Sequence, residues 1–320
     1  LDLFGQNVVN AAILTVVVTA FITSYGTRFF SRKVERPPLA DKPLGESVLV
    51  DVRPLGSDLT RLLEIAGAIA RVDRGVVVPY MVPATGQLDV ARSRVELATA
   101  AAAETGHDVT PEIRVDDSFA AGTINLTEET DASFLVLSWR GPRLSTDFVF
   151  GNEIDVIGER STIPTAAVRV LRPWDRIVVL TGEVRSDWNE EDNLLALAVA
   201  RRIRGSKGTP MLIVANDPDS LPERVSAPER VSAWEDVEVQ RAPGNMSELR
   251  KIIGHDDLVV VPVHAIGVSR VRTPWRIASQ YRDTSSIIVA GPHRLSVSGT
   301  SVQRHVHGIV NPVEDAPLSA

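Results

Sequence analysis

The sequence predicts an α/β protein of two successive parallel-sheet domains preceded by one transmembrane helix. Three observations predict it. Residues Val8 to Phe30 form a long apolar run with basic residues after it. Beyond that run, short apolar stretches alternate with stretches of helical periodicity, the pattern of a mostly parallel sheet with helices on both faces. Past Pro173-Trp174-Asp175 the same alternation starts again.

The first run is long enough to cross a bilayer, which takes about 20 mostly apolar residues. Asn10, Thr15, Thr19 and Thr23 are its polar interruptions, Arg28 lies at its far end, and Arg32, Lys33, Arg36 and Lys42 follow it. Basic residues on that side place the rest of the chain in the cytosol. A secretory signal would carry its basic residues before the apolar core, and here only Asp2 is charged there. The alternative is a buried core helix. The chain starts at Leu1 and not Met, which suggests a fragment, a processed chain or an unusual start codon. Residues 31–46 hold three prolines and mixed charges and are expected to be a semi-rigid linker.

Composition bounds the remainder. About 290 residues after the span exceed one small core and suggest two domains. The net charge of −7 argues against a nucleic-acid partner, which needs a basic face. With no cysteine, disulfides, thiolate metal sites and cysteine nucleophiles are excluded. Of six histidines, His305 and His307 form an i, i+2 pair in a polar tail, more often solvated than metal-bound, and no metal is expected.

Val48 to Val52 reads as a strand, and Asp58 to Arg71 as a helix with Ser57 or Asp58 as its N-cap. Gly75 to Tyr80 is the next strand, and Gln87 to Thr105 an alanine-rich helix ended by Gly106. Val109 to Val115 alternates as a strand; Ser118 to Thr130 has helical spacing, weakened by Gly122. Ser133 to Ser138 and Thr165 to Leu171 are buried strands. The second series has strands at Arg176 to Thr181, Pro210 to Ala215, Val237 to Arg241, Asp257 to Val263 and Ser286 to Ala290, with helices at Glu191 to Arg204 and Ser247 to Ile253. Its order mirrors the first, which suggests an internal duplication of a unit of about 120 to 130 residues. The expected organisation is a membrane helix over 1–30, a linker over 31–46, domains over 47–172 and 173–293 related by pseudo-two-fold packing, and a disordered tail over 294–320.

Three pieces then carry a resemblance. Asn7-Val8-Val9-Asn10-Ala11-Ala12-Ile13-Leu14 resembles the last transmembrane helix of bacterial cation–proton antiporters. Val48-Leu49-Val50-Asp51-Val52-Arg53-Pro54 resembles the first strand of transporter-linked universal stress protein domains. The third piece is a glycine pattern after the fourth strand. Each half is similar to a universal stress protein domain, of the adenine nucleotide alpha hydrolase-like class, and the whole chain to the C-terminal end of such an antiporter.

The resemblance implies a nucleotide site. ATP-binding members carry Gly, two residues, Gly, nine residues, then Gly followed by Ser or Thr. Glycines there let the backbone approach phosphates, and free N–H groups at the next helix start hold the anion. Here the stretch is Ser138-Trp139-Arg140-Gly141, nine residues, then Gly151-Asn152. Ser138 replaces the first glycine and Asn152 the final hydroxyl residue, while Glu153 beside them disfavours phosphate. The family's nucleoside-binding acid closes the first strand. Arg53 stands in that place, with Asp51 two residues earlier on the same face. The second half departs further, with Gly267 as its one suitable glycine. The candidate nucleotide-binding residues are therefore Asp51, Arg53, Ser138, Gly141, Gly151 and Asn152, for ATP, AMP or cyclic di-AMP. The bland alternative is loop geometry inherited without a ligand.

No G-x-S-x-G, Walker loop or H-E-x-x-H occurs, so no catalytic residue and no enzyme is expected. The acidic pairs Asp116-Asp117, Glu128-Glu129, Glu190-Glu191 and Asp256-Asp257 read as solvated caps. The expected function is the cytosolic regulatory or dimerisation region of a membrane cation–proton antiporter. The partners implied are the antiporter's transmembrane domain, from the same polypeptide or a neighbouring gene product, the membrane, and a second copy in a homodimer. The competing expectation is a free-standing, membrane-tethered universal stress protein that binds ATP or AMP.

Overall fold

The computed structural model describes residues 42–54, 56–84, 86–140, 153–182, 187–205, 208–221, 237–263 and 283–294. The expected span, most of the linker and the tail past 294 lie outside the described residues. Among the described residues, no helix is long and apolar enough to cross a membrane.

The chain order is β1 (Ser47–Asp51), α1 (Ser57–Asp73), β2 (Val76–Met81), α2 (Leu88–Glu104), β3 (Asp108–Val109), β4 (Glu112–Ile113), α3 (Phe119–Glu129), β5 (Phe134–Ser138), α4 (Glu153–Arg160) and β6 (Thr165–Arg169). It continues with β7 (Arg176–Thr181), α5 (Asp187–Gly205), β8 (Met211–Ala215), a 3-10 turn (Pro218–Ser220), β9 (Val237–Arg241), α6 (Met246–Ile252), β10 (Asp257–Pro262) and β11 (Ser285–Ala290).

All the strands join one sheet, ordered β3-β2-β1-β5-β6-β11-β10-β7-β8-β9, with β4 also on β2. Read inward from either end, β1 lies between β2 and β5, and β7 between β8 and β10. Among the described residues, every pairing is parallel except one. β6 and β11 run antiparallel, with Ile288 opposite Ala167 at the middle of a five-pair ladder. The break at Pro173 therefore interrupts the chain but not the sheet.

The central strands are apolar on both faces because both faces are covered, while the edge strand β9 is exposed from Glu238 to Arg241. Val48, Val50, Ile177, Val179, Leu258 and Val260 pack into one core with Leu62, Ile65 and Ile69 of α1, Val95 of α2 and Leu197 and Ile203 of α5. On the other face, Leu49, Leu135 and Leu137 meet Phe119 of α3 and Ile157 of α4. Val178, Leu180 and Val259 meet Leu249 of α6. Each such side chain contributes roughly 1.5–3 kcal/mol on leaving water. Arg202 of α5 clasps Asp73 of α1 and donates to the Ile69 carbonyl at 2.9 Å, so the two halves also join through helices.

Four local expectations change. The N-cap of α1 is Gly56, at φ 60 and without a side-chain cap, because the chain turns one residue earlier than Ser57. The stretch Val109 to Val115 is not one strand. Asp108–Val109 pairs with Val76–Val77 and Glu112–Ile113 with Tyr80–Met81, parted where Pro111 has no N–H to give. Gly122 supports α3 where the sequence counted it against a helix: a Cβ there would lie 2.6 Å from Val82 Cγ1. Asp257 is not a solvated cap. It is buried, receives Arg176 at 3.0 and 2.7 Å, and accepts the Gly254 N–H at 2.7 Å.

Candidate functional site

The sheet's connections diverge between β1 and β5, and in open α/β sheets ligands bind in the crevice outside such carboxyl ends. β1 places Asp51 there, wholly buried, on the face it shares with Leu49. Arg53, just past the strand, turns back onto it. The Arg53 backbone N–H donates to Asp51 Oδ1 at 3.0 Å. Its Nε donates to the two carboxylate oxygens at 3.0 and 3.1 Å, and its Nη2 to Oδ2 at 2.9 Å. Its remaining arm, Nη1, reaches Glu153 Oε2 at the start of α4, 3.0 Å away.

The guanidinium carbon also sits over the Phe119 ring, 3.2 Å from its centroid. Phe119 stacks on Tyr80 at 6.3 Å, and the Tyr80 hydroxyl meets Thr123 Oγ1 at 3.2 Å. Burial pushes the Tyr80 phenol well above its ordinary range, and the Asp51 charge adds to this. Burial alone would lower the Arg53 pKa, but Asp51 outweighs it, and the guanidinium is held above its usual value. Arg94 of α2 donates to the Arg53 carbonyl at 3.1 Å and fixes the turn from behind.

Beside this cluster a cavity of about 440 Å³ opens, lined among others by Asp58, Arg94, Ser138, Arg140 and Arg169. The Arg169 guanidinium stands 5.6 Å from the Trp139 ring and donates to the Thr284 carbonyl at 3.1 Å. Burial lowers its pKa, partly offset by Asp283.

Of the expected site residues, the structure brings Asp51 and Arg53 together and puts Ser138 on the cavity wall. Gly141, Gly151 and Asn152 lie outside the described residues, as does Gly267. Glu153, read as hostile to phosphate, shares Arg53 with Asp51, so the trio keeps one net negative charge. Phe119 was missed; its signal was an aromatic in the first turn after the Ser118 cap. Arg169 was missed too, and its signal was a charge inside an otherwise apolar strand.

An adenine nucleoside, which the resemblance implies, needs a free acceptor on the acid at the end of β1. Asp51 has no exposed surface and both its oxygens are taken by Arg53. The described residues at this strand end do not fit that group.

The second half is built differently. Asn193 of α5 accepts from the Gly182 N–H at 3.0 Å and donates to the Gly182 carbonyl at 3.1 Å. Beside it, buried Asp192 accepts the Gly291 N–H at 2.9 Å and Arg294 Nε at 3.1 Å. Burial pushes Asp192 up to about 6, against the opposing pull of Arg294. Among the described residues, no group of three metal-ligating side chains occurs.

No family model matches the chain. It is similar to the Na(+)/H(+) antiporter NhaS5 of Synechocystis sp., 25% identical over 199 residues, which cover 53% of this chain and 28% of that protein. The match thus spans less than a third of the antiporter's length. A universal stress protein from Archaeoglobus fulgidus superposes with a TM-score of 0.49 at 15% identity, covering 77% of this chain and 96% of the other. The cytoplasmic domain of a prokaryotic cation chloride cotransporter gives 0.46 at 11% identity, with 79% and 98% covered. A universal stress protein from Archaeoglobus fulgidus in complex with dAMP gives 0.32 at 16% identity, with 37% and 94% covered.

Proposed function

We propose that this chain is the cytosolic regulatory region of a membrane cation–proton antiporter, its two halves being copies of one universal-stress-like domain. The observation that carries this is the 25% identity to a Na(+)/H(+) antiporter over 199 residues. The site chemistry supports it. At the strand ends, charges are consumed by one another, in Asp51–Arg53–Glu153, Asp192–Arg294 and Asp257–Arg176. Such pairs hold loops in place, and each of these described carboxylates is tied to an arginine. Regulation in this reading passes through contacts with the membrane part and not through a nucleoside on Asp51. No catalysis belongs to the chain itself.

Protease protection in membrane vesicles tests the reading. In everted vesicles, whose cytosolic face is outward, the α/β region should be cut by added protease. In right-side-out vesicles it should be spared. It should also co-purify in detergent with an antiporter membrane domain. Recovery wholly in the soluble fraction, with no transporter attached, would end the proposal.

A further inference from the structure

We propose that Arg53 is a built-in occupant of the crevice at the carboxyl end of β1, standing where a nucleoside would otherwise sit and keeping it out. Asp51 is an acid at the end of a central strand with no exposed surface. A buried carboxylate must be paired. Arg53 pairs it with three donors, its own backbone N–H, Nε and Nη2, so the carboxylate is satisfied without any ligand. The same guanidinium covers the Phe119 ring, the aromatic surface on that side of the crevice. Its last arm reaches Glu153, 100 residues away in sequence, in a pair open to solvent.

The acid and the aromatic face, two surfaces that can recognise a nucleoside, are thus both spent on one side chain, which also reaches the Glu153 carboxylate at the start of α4. An arginine suits this because its planar fork meets a carboxylate two-pronged while its face lies on a ring. Its position is also fixed from behind by Arg94 on the Arg53 carbonyl. The clamp ties β1 to the first residue of α4 without a ligand. Removing it should expose Asp51 and Phe119 together and create a pocket that takes a neutral sugar and an aromatic base.

The test is calorimetric titration of the full 320-residue chain with AMP and with ATP. The wild type should show no saturable binding up to about 1 mM. Arg53→Ala, checked for folding by far-ultraviolet circular dichroism, should bind AMP at least about tenfold more tightly than that limit. If Arg53→Ala does not fold, Arg53→Gln serves, since it keeps one donor for Asp51 but loses the charge and the fork. Glu153→Gln frees one arm only, so it should fold normally and speed amide exchange at the start of α4. Saturable AMP binding by the wild type, weakened in Arg53→Ala, would overturn the proposal by making Arg53 a ligand-binding group. A folded Arg53 variant that still binds no nucleotide would overturn it equally, because nothing was then being excluded.

Discussion

Arg294 Nη2 lies 3.0 Å from Asp192 Oδ1, pinning a residue just past the last strand to α5. Glu191 meets the same Arg294 nitrogen at 3.0 Å, so one arginine holds two neighbouring acids, one buried and one open to water. The buried acid carries an energetic signature that pH can read.

Asp192 sits at about 6, against an ordinary 3.8. The folded carboxyl binds its proton more tightly than the unfolded one. Its contribution therefore favours the fold at low pH and is lost as pH rises from about 4 to about 6, on the order of 3 kcal/mol in all. Asp192→Asn should remove this slope. Urea midpoints measured between about pH 4 and 7 should show the variant gaining on the wild type as pH rises. A constant difference across that window would mean that Asp192 titrates normally.

Arg176→Ala strands Asp257, whose side chain is only 7% exposed, while Arg176 itself is 35% exposed. The expected loss is about 2 kcal/mol, below the cost of breaking a wholly buried pair because solvent screens the arginine. The double substitution Arg176→Met with Asp257→Leu should recover most of it. A double variant as unstable as the single one would show that packing, and not the uncompensated charge, sets the cost.

Gly75→Ala should be among the more damaging small substitutions. Its Cβ would fall 1.8 Å from the Gly45 carbonyl oxygen and 2.5 Å from that of Glu46, both backbone atoms that cannot rotate away. We expect a loss of about 3 kcal/mol and a fall in Tm of roughly 5–10 °C. A Tm unchanged in a thermal melt would mean that the loop before β1 shifts at no cost.

Ser118 caps α3 by accepting the Ala121 N–H at 3.1 Å. Ser118→Ala should cost about 1 kcal/mol. Because Phe119 follows the cap, the same variant should loosen the ring under Arg53, visible as faster amide exchange in the first turn of α3. Exchange unchanged there would separate the cap from the clamp.

The central strands were legible because each is a run buried on both faces, which leaves a short uninterrupted apolar signature, as in Val48 to Val52 and Ser133 to Ser138. Helix bounds were legible where apolar spacing is strong and slipped where a cap decides, as at Gly56. The seam between β6 and β11 was not legible. Both runs would be apolar whatever lay beside them, and their pairing joins residues more than a hundred positions apart, such as Ile288 and Ala167. At the site, the same-face spacing of Asp51 was readable from the period of a strand. That Arg53 folds back onto it was not, because the chain has left the strand by then and the partner that holds the fold-back, Glu153, is distant in sequence.

The β6–β11 seam also fixes a stoichiometry. Two separate polypeptides that met along such an edge would be identical, or would exchange partners freely. Here both sides of the edge are written into one chain, and among the described residues it carries the arginine clamp at Asp51 on one side and the acid latch at Asp192 on the other. A substitution that would spoil both sides of a symmetric pair falls on one side only, and a signal arriving at one half has a different neighbour to act on.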